Sequence, residues 1–146
     1  MKTLKVKKLT PTAIIPTKGS KYAAGYDLYA DIMTEIAIPP HETQLINTGI
    51  SIQLPKRTFG GIYPRSGISV KRDLSLANCV GVIDEDYTGE IKVAIHNHGM
   101  KYRVVEPGER IAQLIVQPYT QVSIKEVNKL SKTERGNGGF GSSGNK

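Results

Sequence analysis

The chain has no tryptophan, only two phenylalanines (Phe59 and Phe140) and a single cysteine, Cys79. So few large rings leave burial to Ile, Val and Leu, and β-branched side chains suit a pleated, half-buried surface. One cysteine excludes an intrachain disulfide and permits a reducing compartment. Cys79 itself is expected to be a small buried hydrophobe rather than a nucleophile. No apolar run approaches the roughly 20 residues that a membrane-spanning helix needs. The opening "MKTLKVKKLTPT" is charged but has no apolar segment, so it is not expected to act as a secretory signal. Residence in the cytoplasm or nucleus of a host cell is the expectation, with no membrane partner. Heptads and internal repeats are absent too, which excludes coiled-coil and solenoid architectures.

What is present fits one domain of 146 residues with a formal charge of +7. A basic chain invites a nucleic-acid reading, but the lysines and arginines are dispersed. The one dense stretch, Lys2, Lys5, Lys7 and Lys8, alternates with Leu4, Val6 and Leu9. That pattern is a strand with a solvated face, and no nucleic-acid partner is expected. A polyphosphate substrate would use the same positive charge.

Alternation recurs along the chain. Ile50, Ile52 and Leu54 alternate with Ser51 and Gln53, and Ile91, Val93 and Ile95 do so again. Ile36 and Ile38 precede a turn at Pro39-Pro40, Tyr102 to Val105 leads to a turn at Pro107-Gly108, and "RIAQLIVQP" runs apolar. Val122 to Val127 reads as a further short strand. Turn signals this frequent predict an all-β sandwich or barrel. One short helix is expected over Gly67 to Arg72, with Ser66 as its N-cap. The β-rich core is expected to span residues 1–130. A Gly/Ser-rich arm, 131–146, cannot fold by itself.

Five stretches have the composition of chemistry. "PRSGIS", Pro64 to Ser69, combines a guanidinium, a hydroxyl and backbone N–H groups at a helix start, which suits an anion as well as it suits a plain cap. "GVIDEDYTGEI", Gly81 to Ile91, crowds three acids. On a strand Asp84 and Asp86 would share a face and Glu85 would point away, a paired-carboxylate site for metal or acid–base work; the alternative is an acidic turn before Gly89. Such a cluster costs stability unless something compensates it. In "GERIAQLIV", Gln113 interrupts an apolar strand and needs partners, either as a bridge between strands or as a hand for a substrate oxygen. His96 and His98 would share one strand face, but no third ligand stands at a recognisable spacing. Finally, "RGNGGFGSSG" sets Arg135 and Phe140 among glycines. A loose linker needs neither, whereas a lid over a nucleotide would use a ring for the base and a cation for phosphate.

Together with "AAGYDLYA" from Ala23, these stretches stand in the order of the five motifs of the trimeric dUTPases, and the chain resembles that family over nearly its whole length. The resemblance implies a jelly-roll-like β-fold with one short helix, assembled as a homotrimer with shared active sites. It implies hydrolysis of dUTP to dUMP and pyrophosphate with Mg²⁺, which keeps uracil out of DNA and supplies dUMP for thymidylate synthesis. By that analogy Asp84 activates the attacking water and Tyr87 packs under the deoxyribose. Asn78, Gly81 and Ile83 surround the uracil edge, and Arg65, Ser66, Gly67 and Gln113 hold phosphates. Asp27 organises the metal through water, Mg²⁺ being held mainly by substrate phosphates. Arg135, Phe140, Gly141, Ser142 and Ser143 belong to an arm that closes a neighbouring site. Ser143 stands where the family often has Thr, and Gly61 and Tyr63 beside the second motif also depart from other members. A dCTP deaminase on the same fold is the nearest rival. Asp84 within "GVIDEDY" and the glycine-rich arm favour the diphosphatase.

Overall fold

The structure, a computed structural model, describes residues 2–139. Ten strands and one helix follow in order: β1 Lys5–Lys8, β2 Tyr26–Tyr29, β3 Ile36–Ile38, β4 Thr43–Gln53, β5 Thr58–Tyr63, α1 Ser66–Arg72, β6 Leu74–Leu76, β7 Gly81–Ile83, β8 Glu90–Asn97, β9 Arg103–Val105 and β10 Arg110–Pro118. One four-stranded sheet has the order β1-β4-β8-β6 and a second has β2-β10-β5-β7, while β3 and β9 form a two-stranded ribbon. Every pairing is antiparallel. The result is all-β, as the strand pattern predicted, and jelly-roll-like, as the resemblance implied.

A single apolar cluster draws on all three sheets: Ile50, Ile91 and Ile95 from the first, Leu28, Ile62 and Leu114 from the second, Ile38 and Val105 from the ribbon. The alternation in β8 is the clearest case, with Ile91, Val93 and Ile95 inward and Lys92 outward. Asn97, fully buried, is satisfied. Its amide donates to the carbonyls of Ile38, Pro39 and Lys101, and its oxygen accepts from the Gly99 N–H. It therefore ties the ribbon to the end of β8 at no desolvation cost left open. Between Asn47 and Ser51 the β4–β8 register shifts, and Gly49 sits there at φ +63°. A Cβ on Gly49 would come within 2.1 Å of the Asp31 carboxylate, which receives the hydroxyls of Thr10 and Thr12.

Three expectations are corrected. Helix α1 begins at Ser66, so Arg65 and not Ser66 holds the cap position, with extended backbone and no side-chain cap. Val122 to Val127 forms no strand within the chain. Its residues alternate, but no neighbouring strand offers a ladder, and Val122 and Ile124 stand 75% and 98% exposed. Cys79 is exposed, at φ +61° in the turn that carries the chain from β6 to β7, because the turn needs a left-handed residue there and turns its side chain away from the core.

Candidate active site

The second sheet carries two clusters of polar side chains, and register explains each. In one row across the sheet, Asp27 of β2 faces Gln113 of β10, which faces Tyr63 of β5. The chain leaves β5 through Pro64 into α1, so Arg65, Ser66 and Gly67 stand at the end of that row. Asp27 is 8% exposed. Its carboxylate accepts from Arg65 Nε at 2.9 Å and from Arg110 Nη1 at 3.2 Å. Two guanidiniums on one carboxylate leave net positive charge, which favours an anion beside them. Gln113 donates through Nε2 to the Pro64 carbonyl at 3.0 Å, so it does bridge strand to loop. A Cβ on Gly25 would lie 2.7 Å from Gln113 Oε1, hence the glycine. Asp27, Arg65, Ser66, Gly67, Arg110 and Gln113 line a cavity of about 230 Å³. Its contour is open above Gly67, where a Cβ would meet nothing within 4 Å.

Arg110 was missed by sequence reasoning. Three positions separate it from Gln113, an odd spacing that puts the two on opposite faces of a regular strand. A register shift between Arg110 and Ala112 adds a residue and brings both side chains to the same cavity. Tyr63 and Gly61, the departures beside the second motif, explain one another. A Cβ on Gly61 would sit 2.6 Å from the Tyr63 ring, whose hydroxyl donates to Gln117.

The acidic cluster lies at the other edge of the sheet. Strand β7 is only three residues long and pairs with β5 alone, Gly81 opposite Ile62 and Ile83 opposite Gly60. Asp84 follows directly. The paired carboxylates expected on a strand face are not there, because the chain turns: the Tyr87 N–H donates to the Asp84 carbonyl at 3.1 Å. Asp84 is exposed, and among the described residues nothing hydrogen-bonds its carboxylate. Glu85 is the acid that is compensated. Its Oε2 accepts from the Arg57 N–H at 2.7 Å and the Tyr119 hydroxyl at 3.0 Å. That hydrogen bond, partial desolvation and the charges of Glu85, Asp86 and Asp84 hold the Tyr119 phenol above its ordinary pKa. Tyr87 donates its hydroxyl to the Glu90 carbonyl and packs over Gly89, where a Cβ would meet the ring oxygen at 2.6 Å. Ile83, Asp84 and Tyr87 share a cavity of about 210 Å³ with Val82, Glu90 and Lys92. Asn78 stands in the turn between β6 and β7, its amide nitrogen 3.4 Å from where a Cβ on Gly81 would be.

These clusters do not meet within one chain. Asp84 is in line with Phe59 and the Asp27 row with Tyr63, four residues away along β5, or about 13 Å at strand rise. Three strand spacings separate β7 from β2, roughly 14 Å more at right angles. The candidate base and the candidate phosphate site thus occupy diagonal corners of one sheet. Among the described residues Arg135, on the arm, hydrogen-bonds within its own turn, donating from Nε to the Gly138 carbonyl at 2.8 Å. Phe140, Gly141, Ser142 and Ser143 lie outside the described residues. His96 and His98 do share a face, rings 4.5 Å apart, each held by a hydroxyl of a neighbouring strand, Thr43 and Ser75. Among the described residues no group of three or more His, Cys, Asp or Glu could hold a metal ion by itself. No described helix is long and apolar enough to cross a membrane.

Comparison with known proteins identifies the family. The dUTPase family model matches residues 12–144. The deoxyuridine 5'-triphosphate nucleotidohydrolase of Clostridioides difficile is 49% identical over 144 residues, 99% of each chain. That of Candida albicans is 47% identical over 143 residues, covering 97% of this chain and 87% of its own. Among solved structures, a Staphylococcus bacteriophage 80alpha dUTPase with dUPNHPP superposes with a TM-score of 0.85 at 30% identity, covering 97% of this chain and 98% of that one. A mutant of the same phage enzyme with dUpNHpp reaches a TM-score of 0.89, also at 30% identity, over 97% and 98% of the two chains. The chain belongs to the dUTPase family, the deoxyuridine 5'-triphosphate nucleotidohydrolases.

Proposed function

We propose that this dUTP diphosphatase splits the bond between the α- and β-phosphates of dUTP with Asp84 as general base, in sites built between copies of the chain. One observation carries the reading. Asp84 is an exposed carboxylate with no internal partner among the described residues, whereas the other carboxylate of the site, Asp27, is gripped by two arginines. Of these two, only Asp84 is available to take a proton from water; Asp86 is exposed as well, but it does not line the cavity that Asp84 shares with Tyr87. Transfer of that proton lets the water oxygen bond to the α-phosphorus while the bond to the bridging oxygen breaks and pyrophosphate leaves.

The second cluster supplies the triphosphate site. Arg65 offers a planar fork to phosphate oxygens, and Ser66, Gly67 and Gln113 add a hydroxyl, an open backbone and an amide. Tyr87, on the turn that presents Asp84, lies where a deoxyribose would rest. Asn78, Gly81 and Ile83 border the space for uracil, and a tight turn there excludes a 5-methyl group by size. Arg135, Phe140, Gly141, Ser142 and Ser143 close the site, the ring over the base and the guanidinium at the distal phosphate. Because the two clusters stand at diagonal corners, each site takes Asp84 from one copy and Arg65 from another. A homotrimer with three-fold symmetry satisfies that requirement.

The donor set suits Mg²⁺ in one mode. Asp27 is a hard oxygen ligand, but both its oxygens already accept from guanidinium nitrogens, and no second carboxylate joins it among the described residues. Contact through water, with the substrate phosphates as the main ligands, fits such a site. When bound, the ion would offset triphosphate charge. Pyrophosphate release measured against dUTP, dTTP, dCTP and UTP with Mg²⁺ tests the reading. Release from dUTP alone is expected, and ammonia release from dCTP would decide for the deaminase.

A further inference from the structure

We infer that Glu85 is a positioning residue for Asp84, acting through a clasp that it forms with the Arg57 N–H and the Tyr119 hydroxyl. The inference rests on the reading of Asp84 as the base. Asp84 has little of its own to hold it. The strand before it is a three-residue edge strand whose ladder ends at Ile83, and no side chain among the described residues bonds its carboxylate. Beyond Ile83 the backbone is a turn, and turns without further ties are mobile. A general base needs its oxygen placed to a few tenths of an ångström, because misplacement by about 1 Å can cost a hundredfold in rate.

The clasp supplies that placement. A single Glu85 oxygen, Oε2, accepts from Arg57 at 2.7 Å and from Tyr119 at 3.0 Å. Arg57 is held at φ +58° just before β5, a conformation uncommon for a non-glycine residue, and its carbonyl receives the Tyr119 N–H at 3.4 Å. Tyr119 is the first residue after β10. Three separate points of the chain, the start of β5, the end of β10 and the Asp84 turn, therefore meet at one carboxylate oxygen. The clasp holds the turn from the side facing away from Tyr87, whose hydroxyl ties the turn's other end to Glu90. Lys56, Arg57, Glu85 and Tyr119 line the large groove of about 840 Å³ into which Asp84 also faces, so the clasp borders the base without occupying its cavity with Tyr87.

Both hydrogen bonds converge on one acceptor, which sharpens the test. Glu85→Gln keeps an oxygen able to receive both, whereas Glu85→Ala keeps none. In the homo-oligomer with Mg²⁺ and dUTP, Glu85→Ala is expected to lower kcat between about ten- and a hundredfold, with KM within about twofold of the parent. Glu85→Gln is expected to restore most of kcat. Tyr119→Phe deletes one of the two donors and should cost less than Glu85→Ala, with no added loss in the double variant. An unchanged kcat for Glu85→Ala overturns the inference. So does a loss shared between kcat and KM with a lowered melting temperature, or a Gln variant no better than Ala. Asp84→Asn run alongside separates the two failures. If it is inactive while Glu85→Ala is normal, only the clasp is wrong. If it turns over normally, the base is elsewhere.

Discussion

At the scale of single residues, the contrast between Asp27 and Asp84 organises the chemistry. Both are carboxylates on one sheet, yet Asp27 is held by Arg65 and Arg110 while Asp84 stands outside any such pairing. Asp84→Asn keeps the shape and removes the base, so hydrolysis should fall by about 10²–10⁴-fold, the usual contribution of a general base. Binding of a non-hydrolysable dUTP analogue, followed by calorimetry, should change by less than about tenfold, since the amide occupies the same space. Tyr87→Ala should narrow the preference for dUTP over UTP by opening the place of the 2′-hydroxyl, read as the ratio of the two kcat/KM values. An unchanged ratio removes Tyr87 from the sugar site. Tyr119 yields a pH prediction. Its folded pKa is raised above the ordinary 10.0, so the clasp's stabilisation is whole below that value and is lost as pH rises through the higher folded one. Denaturant midpoints measured on either side of pH 10 should drop more for the parent than for Tyr119→Phe.

At the scale of elements, strands with an inward and an outward face were legible, and elements that depend on neighbours or irregular backbone were not. The alternation of Ile91, Val93 and Ile95 fixes β8 from sequence alone, because one face is wet and the other buried. The same alternation at Val122 to Val127 misleads, since it states which sides differ and not whether a strand lies alongside. Arg110 escaped because a bulge between it and Ala112 breaks the period on which face assignments rest. Cys79 was placed inside on residue type, while the turn demanded a positive φ at that position and turned the thiol outward. The acidic turn shows the same limit. Three consecutive acids announce a site, but which is free and which is tied depends on Arg57 and Tyr119, far away in sequence. For the arm the expectation is functional. Deleting Arg135 to Lys146 removes no strand of the described residues, so melting temperature and oligomeric state should change little while turnover falls steeply. Phe140→Ala should cost part of that fall, about 1–3 kcal/mol by analogy with base–aromatic stacking. Undiminished activity in the truncated chain would exclude a closing arm.

At the scale of the whole molecule, Asp84 and Arg65 stand at diagonal corners of one chain, so the proposed roles require more than one copy. Exposed Val122, Ile124, Val127 and Leu130 add to the case, since such residues seldom face water in succession on a monomer. Light scattering should report a trimer. The most direct measurement of the central claim is complementation between two defective chains. Asp84→Asn and Arg65→Ala subunits, each inactive as a homo-oligomer, are co-expressed with different tags and the doubly tagged hybrids isolated. In a closed three-fold ring every hybrid pairs one intact Asp84 with one intact Arg65, so roughly a third of its sites should be whole and turnover should approach that fraction of the parent rate. Hybrids that remain as inactive as either variant alone would contradict the account, because they would mean that base and phosphate site belong to the same chain.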